Sequence, residues 1–153
     1  MLAEKFQVEL RDIANICELR DIRLTKKRQV VLKAMLTTKN ALSAYEIADI
    51  CRQQFDLSFP PMSVYRILDF LQSSGIVHRL LLANKFILCD HFCCYHEHQL
   101  SQFLICSKCH SVTEVDLPQS LATALENSVD KAGYKMITPQ LEIQCICNAC
   151  AEK

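Results

Sequence analysis

The sequence predicts an α+β fold in two parts: an N-terminal winged helix-turn-helix and a smaller, cysteine-rich α/β part. Three observations carry this. Four helical patterns run up to Gly75 and are followed by a short hairpin pattern. Charge and metal-donor content then change together. Thirteen basic residues face nine acidic ones through Lys85, against four and eight from Phe86 onward. Eight of the ten cysteines and four of the five histidines lie from Cys89 onward. This shift places the junction near residues 83–90.

Each element has its own signal. In the first helix Leu2, Phe6, Leu10 and Ile13 recur at helical spacing, followed by Ile16 and Cys17. A second helix starts behind Thr25, whose hydroxyl can cap it, and runs through "KKRQVVLKAML". Ser43 and Glu46 in "SAYE" form a capping box for the third, with Ile47, Ile50 and Cys51 as its apolar face. The fourth follows "FPP", since proline at a helix start loses no needed hydrogen bond, and "MSVYRILDFLQSSG" ends at Gly75. "IVHRLLL" and "KFILC", separated by "AN", read as a hairpin. The helix before such a hairpin is the one that enters the DNA major groove. Beyond it, "QFLIC" and "SVTEVDL" read as strands around the first cysteine pair. "PQSLATALENSVDKAG" reads as a helix between Pro118 and Gly133, and "YKMITPQLEIQCIC" as a further strand region.

Composition narrows the function classes. The 153 residues are half apolar, enough for a core, and no run approaches the ~20 apolar residues of a membrane span. No signal-peptide core opens the chain, so the expectation is a cytoplasmic protein whose thiols stay reduced. Nothing resembles a nucleophile elbow, a phosphate loop or a pair of catalytic carboxylates, so neither an enzyme nor a small-molecule substrate is expected.

Two C-x-x-C pairs stand out, Cys106 with Cys109 and Cys147 with Cys150. A two-residue gap lets both sulfurs of a pair face one point, and two pairs supply a tetrahedron for zinc. A closed four-thiolate site leaves no open position for a substrate, so the expected role is structural. The competing readings are two unrelated pairs in a small core or a thioredoxin-like redox motif, which needs a strand-to-helix context. The remaining donors are His78, Cys89, His91, Cys93, Cys94, His96, His98, His110, Glu114 and Cys145. Six of these fall within Cys89–His98 and point to a second metal site. The bland alternative is a solvated loop with incidental thiols.

The segments "RLTKKR", "SAYEIADI", "PPMSVYRILDFLQSSGIVHR", "KFILCDHF" and "FLICSKCHSVTEVD" resemble the ferric/zinc uptake regulator family, most closely its zinc-uptake branch. The resemblance runs from about residue 10 to Cys150. It implies a winged-helix DNA-binding domain (1–83), a hinge (84–90) and a metal-binding dimerisation domain (91–153). It also implies a homodimer on a double-stranded DNA operator, about two zincs per chain, and metal-dependent repression of zinc uptake genes. The regulatory ligands then fall on His78, Cys89, His98 and Glu114, with His96 as rival to His98, and His91, His110 and Cys145 as further alternatives. Iron-type regulators use nitrogen and oxygen donors there, and the Cys89 thiolate shifts preference toward zinc. Three positions depart from the family pattern. Lys26 replaces a proline, and His110 and Cys145 each replace a glycine.

Within the fourth helix Arg66 suits guanine O6/N7 or a phosphate, and Ser63 a phosphate. Tyr65 suits a base or the backbone, unless it packs in the core. Arg23, Lys26, Lys27 and Arg28 form a basic cluster for phosphates, against the plain reading of a solvated face. Tyr45 is a weaker candidate. Asp49 and Arg52, three apart, can pair within their helix or between neighbouring dimers on DNA. The rival functions are an iron- or peroxide-responsive relative, a thiol redox enzyme and a zinc-buffering protein.

Overall fold

The computed structural model describes residues 2–90, 92, 100–138 and 140–152, with side chains from Glu9 onward. The chain divides into two compact units, Met1–Tyr95 and His96–Lys153.

The described residues of the first unit form four helices and a hairpin. Helix α1 (Leu2–Leu19) buries Ile13 and Cys17, and Asp21 leaves it in the left-handed region. Helix α2 (Lys26–Leu36) starts where Thr25 Oγ1 accepts the Arg28 N–H, and it buries Val31, Leu32, Ala34 and Met35. Helix α3 (Ala44–Phe55) carries the expected capping box. Ser43 Oγ accepts the Glu46 N–H, and Glu46 Oε2 accepts the Ser43 N–H at 2.7 Å. Helix α4 (Pro61–Ser73) has proline at its first position and buries Val64, Leu68 and Leu71. Its end is closed by the Ile76 N–H reaching the Leu71 carbonyl, a turn that needs the positive φ of Gly75 (74°).

Strands β1 (Val77–Leu80) and β2 (Lys85–Leu88) pair antiparallel, Val77 opposite Leu88. Leu42 adds a bridge to Phe86 on the other edge of β2. The turn is four residues long, Leu81 to Asn84, where a two-residue turn was expected. Leu80 is the last buried residue of β1. Leu81 and Leu82 are exposed, and Asn84 closes the turn with φ 49°. Apolar character alone therefore extended the first strand too far. The segment read as a hinge, 84–90, contains β2 and so belongs to the hairpin over Lys85–Leu88.

The second unit is a three-stranded sheet ordered β4–β3–β5. Strand β3 (Ser101–Cys106) pairs antiparallel with β4 (Val112–Asp116) and parallel with β5 (Gln140–Cys145). Parallel neighbours need a crossover connection, and helix α5 (Gln119–Lys131) supplies it. Among the described residues of the last predicted strand region, the strand is Gln140–Cys145. It is followed by a single helical turn, α6 (Asn148–Ala151), which the sequence reading missed because four residues carry no periodicity. Among the described residues of this unit, the buried ones are Leu100, Ser101, Phe103, Ile105 and Cys106 around β3, with Ala122 of α5. No described helix is long and apolar enough to cross a membrane.

Glu46 does two tasks. Beyond the capping box it meets Lys85 Nζ at 3.2 Å, joining the start of α3 to the start of β2. The Ser43 backbone N–H, foremost, holds its carboxyl below the ordinary value of 4.5. Glu46→Ala should lower unfolding stability by ~1 kcal/mol, the worth of a helix cap, as read from urea denaturation. The carboxylate contributes above pH 4.5 and loses its contribution as pH falls through the lowered native value, so the penalty should shrink in acid.

Candidate metal centres and nucleic-acid interface

The parallel register of β3 and β5 explains why the cysteine pairs meet. Cys106 ends β3 opposite Cys145, which ends β5, and the Ser107 N–H bonds the Cys145 carbonyl. Both strands run the same way, so the turn 106–109 and the turn 147–150 emerge at the same end of the sheet. The four sulfurs lie within 4.8 Å of one another, and Cys109 Sγ is 3.7 Å from Cys147 Sγ. Zinc–sulfur bonds of ~2.3 Å in a tetrahedron space their sulfurs ~3.8 Å apart. The four thiols therefore lie close to the spacing that zinc requires.

The surroundings favour thiolates. Backbone amides of Cys109, then Cys147 and Lys108, pull Cys106 down to about 6. The Cys147 N–H lies 3.4 Å from Cys106 Sγ. The Ser111 hydroxyl, 3.2 Å from Cys109 Sγ, lowers that thiol. Four sulfurs so close cannot all ionise without a cation, and Cys147 and Cys109 push Cys150 up to about 12. The first pair lies in the turn joining two antiparallel strands, which is not the strand-to-helix context of a thioredoxin-like motif.

Two other donors flank the thiol pairs. His110 stands in the left-handed region, φ 59°, with its N–H on the Cys106 carbonyl. That backbone is one glycine adopts more readily than other residues. Cys145 Sγ approaches the Ile105 carbonyl at 3.7 Å. Neither belongs to the converging four thiols. In the first unit, His78 lies on β1 opposite Ile87, and the Cys89 N–H continues the ladder to the Ile76 carbonyl. Side chains alternate along a strand, so His78, Ile87 and Cys89 share one face of the hairpin. Glu114 lies on β4 opposite Phe103. His91, Cys93, Cys94, His96 and His98 lie outside the described residues.

Among the candidate DNA contacts, Arg66 is exposed on α4 and Ser63 is half-buried. The Tyr65 ring packs edge-on against Phe86, 6.2 Å between centroids, so its ring serves the core. Arg23, Lys26 and Lys27 are exposed, as is Tyr45. Arg28 differs from its neighbours. Its guanidinium stacks 3.3 Å from the centre of Phe70 on α4, and its Nη1 bonds the Arg23 carbonyl. It ties the start of α2 to α4. Asp49 and Arg52 pair within α3 at 2.8 Å. Met62 is also exposed, in the first turn of α4.

The chain is similar to known proteins over most of its length. The ferric uptake regulator family is matched over residues 20–144. The zinc uptake regulation protein of Escherichia coli (strain K12) is 33% identical over 137 residues, 90% of this chain and 78% of that protein. A solved zinc uptake regulator complexed with zinc and DNA superposes with TM-score 0.83 at 31% identity, covering 96% of this chain and 95% of that one. Holo XcZur gives 0.81 at 32% identity over 95% and 99% of the two chains, whereas apo XcZur gives 0.52 at 31% over 97% and 99%.

Zinc binding to the four thiols should release protons. At pH 7 Cys150, near 12, carries its proton, while Cys106, near 6, has mostly lost its own. Titration calorimetry in two buffers of different ionisation heat should show at least one proton released per zinc. Affinity should fall as pH drops through 6, because Cys106 then also binds a proton that zinc must displace. A titration with no proton release would contradict the four-thiolate assignment.

Proposed function

Because the chain belongs to the ferric uptake regulator family, we propose that it is a zinc-responsive, sequence-specific DNA-binding repressor of zinc uptake genes. It acts as a homodimer on a double-stranded operator. It is a binding protein of the cytoplasm, where its thiols stay reduced, and takes no small-molecule substrate. The observation that carries this reading is the whole-length likeness to a zinc uptake regulator complexed with zinc and DNA.

Two zincs bind each chain. Cys106, Cys109, Cys147 and Cys150 hold the first, which staples the sheet of the second unit. His78, Cys89, His98 and Glu114 hold the second, with His96 and His91 as rivals to His98. The Cys89 thiolate supports zinc over iron at that position. The second ion is the regulatory one, and DNA binding depends on it. A dimer can then present its two α4 helices to successive major-groove turns, ~34–36 Å apart. XcZur supports such a change, since its zinc-bound and zinc-free structures match this chain very differently. Moving the balance from 1:99 to 99:1 takes ~5.5 kcal/mol, well below the ~10–16 kcal/mol of structural zinc binding.

Arg66, Ser63, Arg23, Lys26 and Lys27 face DNA in this reading, with Tyr45 and the Tyr65 hydroxyl as lesser contacts. Arg28 contributes by bracing α4 through Phe70.

The test is a DNA-binding titration at buffered free zinc, with bound zinc counted in the same samples. Wild type should hold about two zincs per chain and bind DNA only when the second is loaded. Cys89→Ser should keep the first zinc and lose the zinc response. Arg66→Ala should cost ~1–3 kcal/mol of zinc-dependent DNA binding. DNA binding that persists unchanged after removal of the second zinc would refute the switch.

A further inference from the structure

Resting on the reading of α4 as the DNA-recognition helix, we propose that Met62 is a specificity-determining residue that packs on the C5 methyl of a thymine in the major groove.

The rotation of α4 is set by its packing. Val64, Leu68 and Leu71 are fully buried, and Tyr65 and Phe70 lie on the flanks, against Phe86 and under the Arg28 guanidinium. Helical spacing then turns positions 62, 66 and 69 to the opposite side. Met62, Arg66 and Asp69 are indeed exposed there. Met62 is 65% exposed, although it is a large apolar side chain. An isolated exposed apolar residue usually needs no explanation. This one occupies the turn of a recognition helix from which base edges are read.

Its backbone is also pinned. Pro60 and Pro61 precede it, Pro60 sits at φ −60° and ψ 141°, and the Pro60 carbonyl accepts the N–H groups of both Ser63 and Val64. The prolines fix φ at two successive positions, so Met62 enters the helix with little freedom. The side chain itself remains adaptable, with three rotatable bonds and a polarisable sulfur.

The chemistry selects the partner. A thioether donates no hydrogen bond and accepts only weakly, so Met62 reads little of the polar pattern of a base pair. Among the unmodified bases, the one apolar group in the major groove is the thymine methyl. Arg66, one helical turn further along the same face, suits guanine. The pair predicts that a thymine and a guanine lie close together in each half-site.

The experiment uses the zinc-loaded full chain. An operator is first selected from a random duplex library, and each thymine in it is then replaced singly by uracil. Uracil lacks only the methyl group and keeps every hydrogen-bonding edge. Wild type should lose roughly 4-fold in affinity at one thymine per half-site, the worth of one buried methyl. Met62→Ala should bind the original operator more weakly and be indifferent to uracil at that same position. Met62→Leu should restore the dependence. Melting temperatures of the variants should match wild type, because the side chain is exposed. If uracil is tolerated at every position by wild type, or if Met62→Ala keeps the full uracil penalty, the assignment to Met62 is overturned. If the zinc-loaded protein selects no sequence at all, the repressor reading falls, and this inference falls with it.

Discussion

The parallel pairing of β3 with β5 is the constraint on which the second unit depends. It brings Cys106 and Cys147 to one end of the sheet, although they are far apart in sequence. The pairing has a topological cost, since parallel neighbours need a long connection, and α5 occupies it. It also has an energetic one. The sheet buries few side chains, chiefly Phe103 and Ile105 of β3 with Ala122 of α5. A core this small gains from a covalent or metal staple, and the four thiols stand where such a staple joins β3 to the chain after β5. The same closeness makes the metal-free group electrostatically divided, with Cys106 drawn toward the thiolate and Cys150 held as a thiol. A zinc ion held by the four thiols would remove that conflict by neutralising the thiolates together.

The first unit solves a different problem. Its core is conventional, built from Val31, Leu32, Ile47, Val64, Leu68 and Phe86 among others. Its distinctive feature is how many contacts fix α4. Buried leucines hold one face, Phe86 receives Tyr65, and Arg28 caps Phe70. A helix that must present side chains to base edges gains from such rigidity, because a small misplacement loses hydrogen bonds that depend on direction. Arg28 shows that a run of four cations is not four equal charges. Two of its neighbours stand in solvent on the first turn of α2, while Arg28 works as a stacking platform.

Much of the local structure was legible in the sequence because its causes are local. Thr25, the Ser43–Glu46 box, Pro61, Gly75 and Gly133 act within one turn of chain, and each helix boundary they mark stands in the structure. The two C-x-x-C spacings act at the same range and identified the four thiols that converge. Elements without a local cause were missed or misjudged. The four-residue wing turn and the single turn of α6 have no periodicity to read.

What the sequence determined by itself was therefore chemistry and order: which residues can cap, break, ligate or carry charge, and where along the chain they come. Tertiary structure alone decided which of them meet. It set Cys106 beside Cys147 through a parallel strand pair, and gave His110 a left-handed backbone. It turned Tyr65 toward Phe86, and sent Arg28 to an aromatic ring while Arg66 and Met62 stayed in the open. Composition cannot make these choices, because residues of one type are chemically equal until packing gives each a different neighbour.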